Sequence, residues 1–252
     1  MEIQSDQNSA ALQLEEKWLK RCSILRMPQI EQRGSTHSAE GYLKVSKTNI
    51  VIMIKSYKGL KMKNYLIIGI SGFTNSGKST IATMLSKEIC NLDVMNQDLY
   101  FLEPDDPAIE RDIHGIRNFE KLSALDMERM VQDVKLWIKS KTCNSDSLFI
   151  LLIEGFLIFN HKELSDLIDH KYFIKITKEI CFERRIKRQY IPPDPDGYFD
   201  SYVWPWTITN LMAIQDCTDI EFIDGTADLQ ALYKSILTRI MKIVFIHREK
   251  YF

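Results

Sequence analysis

Gly72-Phe73-Thr74-Asn75-Ser76-Gly77-Lys78-Ser79 follows the apolar, β-branched run Tyr65–Ile70 and opens onto Lys78–Cys90, a stretch with helical patterning. The eight residues satisfy G-x-x-x-x-G-K-[ST], the phosphate-binding P-loop. Glycines let the backbone curl until successive N–H groups face one anion. Lys78 supplies a charge for the β- and γ-phosphates, and the Ser79 hydroxyl can ligate Mg²⁺. The helix that continues from Thr80 turns its positive N-terminal end toward the same phosphates. The bare pattern occurs by chance in unrelated loops. A strand before it and a helix after it make this a nucleotide-binding site.

Working outward, strand-like runs recur at Leu92–Met95, Leu148–Ile153, Tyr172–Ile176 and Ile220–Ile223. Helical patterns fall between them at Leu122–Lys139, Lys178–Tyr190 and Asp228–Ile246. Alternation of this kind predicts an α/β fold: a five-stranded, mainly parallel sheet with helices on both faces. The nearly continuous apolar run Leu148–Ile153 suits a strand buried on both sides. One P-loop kinase-like domain is therefore expected over residues 62–252. Residues 1–61 read as an extension, with a possible helix at Ala10–Cys22 and a β-like run at Asn49–Ile54. They carry no recognisable chemistry and are expected to be poorly ordered, with Met62 a natural start for the compact domain.

With 252 residues, 45% of them hydrophobic, the chain can bury a full core for one such domain. A formal net charge of −1 argues against broad adhesion to nucleic acid or a membrane surface. Cys22, Cys90, Cys143, Cys181 and Cys217 are odd in number and show no metal-ligand spacing, which excludes a disulfide framework and a zinc site as expectations. The most apolar stretch, Leu148–Phe159, is too short to span a bilayer and is interrupted by Glu154. The N-terminus lacks the apolar core of a secretory signal, and acids interrupt its basic residues. A cytoplasmic protein is expected, with a nuclear share left open.

Ligands of open α/β sheets sit at the carboxyl ends of the strands. The second strand ends in Asn96-Gln97-Asp98-Leu99-Tyr100-Phe101. A carboxylate at Asp98 would face the γ-phosphate, take the proton of an attacking hydroxyl and help hold Mg²⁺. The plainer reading is an Asp that caps the next turn. The third strand runs into Glu154-Gly155, which resembles a Walker B acid near the metal but is equally a solvated strand-end glutamate. Arg184, Arg185, Lys187 and Arg188 lie within one and a half helical turns, just before Pro192-Pro193. A basic helix that must break there suits a lid that closes on ATP; a solvated charged face is the alternative. The aromatic segment Gly197–Trp206 offers stacking against a base as one reading, but its composition favours packing. A GTPase-like switch would need a guanine-reading Asn-Lys-x-Asp, which the chain lacks. Small-molecule phosphotransfer is the better reading.

Taken together these residues resemble the nicotinamide riboside kinases, a branch of the uridine kinase-like P-loop kinases. The resemblance runs from Met62 to about Leu232 and includes Ile68–Gly72, Thr74–Lys78, Gln97-Asp98, Ile153–Leu157 and Phe159-Asn160. It continues through Arg184-Arg185, Arg188, Tyr190, Pro192-Pro193-Asp194, Gly197-Tyr198-Phe199-Asp200, Val203-Trp204-Pro205 and Asp224-Gly225-Thr226. The Pro-Pro-Asp and Gly-Tyr-Phe-Asp blocks separate this branch from uridine-cytidine kinases. The resemblance implies ATP as donor, bound by Gly72, Phe73, Thr74, Asn75, Ser76, Gly77, Lys78, Ser79 and Thr80, with Arg184, Arg188, Thr226 and Ala227. It implies Mg²⁺ at Ser79 and Asp98, with Glu154 nearby, and Asp98 as the base for a ribose 5′-hydroxyl, with Lys78 the catalytic cation. It places Asp98, Leu99, Tyr100, Phe101, Phe119, Glu120, Arg185, Tyr190 and Ile191 around the nucleoside.

Three residues depart from the family pattern. Leu99 stands where a second acid follows the catalytic Asp, and Phe119-Glu120 replaces a Tyr-Asp pair. Phe keeps the stacking surface; Glu keeps an acceptor for the ribose diol but reaches one methylene further. Activity is expected to survive, with substrate preference and KM the quantities that shift. The protein is expected to act as a monomer on a small nucleoside. The alternatives are a uridine or cytidine kinase, and a nucleotide-binding scaffold without catalysis.

Overall fold

The structure, a computed structural model, describes residues 63–113, 115–141, 147–190 and 193–251. The readings at Ala10–Cys22, Asn49–Ile54 and Ile191 lie outside the described residues. Five strands form one sheet: β1 (Tyr65–Gly72), β2 (Leu92–Asn96), β3 (Phe149–Glu154), β4 (His170–Lys175) and β5 (Ile220–Asp224), in the order β2-β3-β1-β4-β5. Every pairing is parallel. The central strand β1 runs beside β3 with Ile70 opposite Glu154, so the P-loop and the strand-end glutamate emerge side by side.

Alternate residues of the two central strands feed two cores. Leu66, Ile68 and Ile70 of β1, with Ile150 and Leu152 of β3, pack under helices α1 (Lys78–Glu88) and α6 (Leu229–Tyr251). Ile67, Leu151 and Ile153 face the other way. There they meet α2 (Met127–Lys141), α3 (Lys162–Leu167) and α5 (Trp204–Met212). Side chains such as Ile68 and Leu152 are fully buried, each contributing about 1.5–3 kcal/mol of hydrophobic stabilisation. This two-sided burial is why the strands read as continuous apolar runs rather than alternating ones.

The expected helix at 122–139 divides in two. A short 3₁₀ turn, Leu122–Ala124, precedes α2, and the Asp126 carboxylate accepts the Arg129 N–H at 3.0 Å to start the longer helix. The basic helix α4 (Lys178–Arg185) begins with the Thr177 hydroxyl accepting the Ile180 N–H at 3.3 Å. It stops five residues short of the expected Tyr190, which frees the chain beyond Arg185 to turn over the P-loop. The aromatic segment folds as a short π-helix, Phe199–Val203, running into α5; it buries Phe199 in the core and packs Trp204 against it, as the composition implied. Among the described residues no helix is long and apolar enough to cross a membrane.

Candidate active site

The P-loop is held from below by β4. Gly72 sits at φ +146°, and a Cβ there would lie 2.3 Å from the Ile174 carbonyl oxygen, so only glycine fits. The Phe73 N–H donates to that same carbonyl at 3.0 Å, while its ring packs edge-on against Phe173 and Trp204. Phe73 therefore anchors the loop and leaves the phosphate-facing work to its successors. Asn75 (φ +59°) and Gly77 (φ +96°) supply the left-handed turns that bring the chain into α1. Lys78 is buried, and its Nζ donates to the carbonyls of Gly72 (3.1 Å) and Phe73 (2.9 Å). Burial pulls the Lys78 pKa down, while the charges of Glu154 and Asp98 oppose that shift.

Asp98 lies on a 3₁₀ turn, Gln97–Tyr100, directly after β2. The turn is capped by the preceding residue: Asn96 Oδ1 accepts the Asp98 N–H at 2.7 Å. The carboxylate of Asp98 is thus not the cap; Asp98 is exposed and lines the cavity. Gln97 fixes its position. Its buried side chain accepts the Leu157 N–H at 3.0 Å and lies against Gly155, where a Cβ would come within 2.4 Å of it. Glycine at 155 is what lets the ends of β2 and β3 close on each other.

Glu154 is buried, not a solvated strand end, and accepts a hydrogen bond from the Ser79 hydroxyl at 3.1 Å. Burial raises its pKa; Lys78 and the Ser79 hydrogen bond counteract that. The donor set of Ser79, Glu154 and Asp98 consists of hard oxygens, which fits magnesium. No group of three or more His, Cys, Asp or Glu side chains converges into a metal cage among the described residues.

The lid is tied to the loop. Arg184 donates to the Asn75 carbonyl at 3.2 Å, Tyr190 donates to Asn75 Oδ1 at 3.2 Å, and the Cys181 thiol contacts the Thr74 carbonyl at 3.2 Å. Burial pushes the Cys181 thiol up to about 11, so it is an inert packing group here. Arg188 is exposed and lies over the Tyr190 ring, 5.2 Å from its centre. Arg185 points inward and is buried. Asp194 grips it through two hydrogen bonds, 2.6 and 3.0 Å; Tyr190 covers its face at 4.4 Å; Glu120 approaches to 3.9 Å. Burial weighs against the Arg185 charge, but Asp194 and Glu120 outweigh it and the pKa rises.

Glu120 is itself buried, and desolvation lifts its pKa to about 7 despite the nearby Arg185. Around it, Phe101 stacks on Phe156 and meets Phe119 edge-on, each pair 6.1 Å apart, giving an aromatic wall. One cavity of about 1290 Å³ joins these parts, from Thr74–Thr80 through Asp98 and Glu154 to Phe101, Phe119, Glu120, Arg185 and Tyr190. Gly225, Ala227 and Leu229 border it as well.

Several expected site residues do not reach the cavity. Leu99 is 75% exposed on the outer side of the turn, so its side chain is absent from the nucleoside wall. Tyr100 is turned into the core, its hydroxyl donating to Asp133 at 2.8 Å. A 3₁₀ turn fans consecutive side chains outward, so four adjacent residues cannot all face one ligand. Thr226 is exposed and off the cavity, its N–H donating to Asp224 at 2.9 Å, whereas Ala227 borders it. Conversely Phe156, Asp194, Tyr198 and Arg117 line the cavity without having been assigned a role from sequence. The Pro-Pro-Asp block was the one available signal for Asp194. Phe156 and Tyr198 fall within the matched stretches Ile153–Leu157 and Gly197–Asp200, whereas nothing local in the sequence marks Arg117.

The parallel sheet, the P-loop on its central strand, and the acids Glu154 at the end of β3 and Asp98 just after β2 define a P-loop kinase. No family model matches the chain. Among curated proteins it is similar to nicotinamide riboside kinase 1 of Homo sapiens, 39% identical over 184 residues, spanning 69% of this chain and 91% of the relative. It is also similar to nicotinamide riboside kinase 2 of Mus musculus, 35% identical over 68% of this chain and 93% of the relative. Similarity to a uridine kinase of Clostridium tetani is weaker: 29% identity over 50% of this chain and 68% of that protein. The chain belongs to the nicotinamide riboside kinase family.

Proposed function

We propose that the protein transfers the γ-phosphoryl group of ATP to the 5′-hydroxyl of nicotinamide riboside, giving the mononucleotide used in NAD synthesis. One observation carries the reading beyond family membership. Asp98 lines one cavity together with Lys78, Ser79 and Glu154 and with Phe119 and Glu120. A carboxylate that shares a cavity with both the phosphate loop and the proposed acceptor wall suits a general base.

In the proposed reaction the backbone of Thr74–Thr80 and Lys78 hold the phosphates, while Arg184 and Arg188 approach from the lid. Glu120 and Arg185 hold the ribose hydroxyls, and Phe101, Phe119 and Tyr190 enclose the base. Asp98 accepts the 5′-hydroxyl proton as the new O–P bond forms and ADP departs. Ser79, Asp98 and Glu154 would hold magnesium, which when bound neutralises phosphate charge. Little covalent work falls to the protein; positioning and electrostatics carry the rate. The catalytic unit is residues 62–252, with 1–61 dispensable for turnover, and the active species is a cytoplasmic monomer.

The test is a panel assay of purified protein with ATP and magnesium against nicotinamide riboside, uridine and cytidine. Turnover of nicotinamide riboside at a kcat/KM well above both pyrimidine nucleosides is the expected result. A pyrimidine preference would move the assignment to uridine-cytidine kinase. ATP binding without turnover of any acceptor would make the protein a scaffold.

A further inference from the structure

Arg117 lines the same cavity, on the segment that also delivers Phe119 and Glu120. Its backbone is well held: the carbonyl accepts the Tyr198 hydroxyl at 3.1 Å, and the residue bridges antiparallel to Arg111. Its side chain is not matched in the same way. Nε is buried and has no hydrogen-bond partner. Nearby acids are engaged elsewhere, Glu110 by Lys121 and Asp112 by the Tyr202 hydroxyl and the Ile116 N–H. The cavity's inner cations differ: Arg185 is gripped by Asp194, and Lys78 donates to loop carbonyls. Glu103, also on this wall, is exposed, so solvent screens its charge.

The guanidinium has no carboxylate paired with it among the described residues, and an anion bound in the cavity would supply that partner. The phosphates of ATP are served at the opposite end by the P-loop and the lid. Arg117 comes instead from the acceptor wall, two residues before the aromatic Phe119.

We infer that Arg117 reads the ring substituent of the acceptor's base and favours a carboxylate there, as in nicotinic acid riboside, over a carboxamide. The chemistry discriminates because arginine is a donor only. A carboxylate offers two acceptor oxygens to the guanidinium fork, whereas a carboxamide offers one oxygen and an NH₂ group that would meet another donor. The inference rests on the pyridine riboside reading given above.

The experiment measures kcat/KM for both ribosides, and KM for ATP, in the wild type and in Arg117→Leu, Arg117→Gln and Arg117→Lys. Thermal unfolding identifies the folded variants. The acid-to-amide ratio is expected to fall on the order of tenfold in Arg117→Leu and Arg117→Gln, the loss of one charge-assisted contact, and less in Arg117→Lys. ATP KM should not move. An unchanged ratio, or both ribosides falling together, overturns the inference, as does an effect confined to ATP. If Arg117→Leu fails to fold, the Gln and Lys variants decide by the same ratio. A wild type that uses uridine and neither pyridine riboside overturns the acceptor reading itself, an outcome distinct from a riboside kinase whose ratio ignores Arg117.

Discussion

The proposed phosphate-binding end and the proposed acceptor-binding end of the cavity are built on opposite plans. The first is one contiguous segment, Gly72–Thr80, clamped by neighbouring strands through backbone contacts such as Phe73 N–H to Ile174 O at 3.0 Å. The second assembles side chains from the turn after β2, the segment before α2, the end of α4 and the loop beyond it. It is held by charge, with Arg185 between Asp194 and Glu120. Backbone anchoring makes the first end indifferent to most side chains except its glycines, Lys78 and Ser79. Charge anchoring makes the second end sensitive to pH and to single residue changes. Conserving phosphate chemistry and retuning acceptor choice are therefore separable in this fold.

The largest expected effect breaks the chemistry shared by both ends. Lys78→Ala and Asp98→Ala should each lower kcat by about 10²–10⁴-fold, the range associated with a positioned acid–base or charge-stabilising group. Circular dichroism and thermal unfolding should remain close to wild type. Near-normal kcat in Asp98→Ala would remove it as the base.

A smaller effect separates the two ends. Glu120→Ala should raise KM for the riboside far more than KM for ATP; equal changes would mean a structural role. Because burial lifts the Glu120 pKa to about 7, its carboxylate is ionised above that pH and protonated below it. A protonated group loses acceptor capacity for the ribose diol. KM for the riboside should therefore climb as pH falls, approaching about tenfold per unit below the pKa, and the profile should flatten in Glu120→Gln. Stability runs the other way. A carboxyl whose pKa rises on folding stabilises the fold fully below its unfolded value of 4.5, and that contribution is lost as pH rises through about 7. The melting temperature of the wild type should decline over that window, and that of Glu120→Gln less so.

The smallest effect tests the boundary that encloses both ends. A fragment of residues 62–252 should keep kcat and both KM values within about twofold of the full chain, since the described residues lining the cavity run from Thr74 to Leu232. A large loss of activity would assign residues 1–61 a part in the enzyme.

Much of the phosphate end was legible because its information is local. The glycine pattern states the backbone conformation, and Lys78 and Ser79 follow in fixed register with the helix start. Asp98 and Glu154 could be singled out because parallel strands deliver their carboxyl ends to one edge. Whether Asp98 was merely a cap, and whether Glu154 was solvated, could not be read: each depends on a neighbour, Asn96 in one case and the Ser79 helix in the other. Leu99 and Tyr100 were misplaced because adjacency in sequence does not survive a 3₁₀ turn. The short helix α3 and the short π-helix at Phe199–Val203 had no periodic signal long enough to announce them.

Sequence alone determined the parallel α/β class, the phosphate loop, the strand-end acids and the basic lid, because each is written in contiguous residues with a period or spacing imposed by backbone geometry. Tertiary structure alone decided which lid arginine turns inward, that Asp194 grips it, that Glu120 is buried beside it, and that Arg117 and Phe156 line the cavity. Those facts depend on side chains from distant segments sharing a desolvated space, where burial and pairing set both orientation and ionisation.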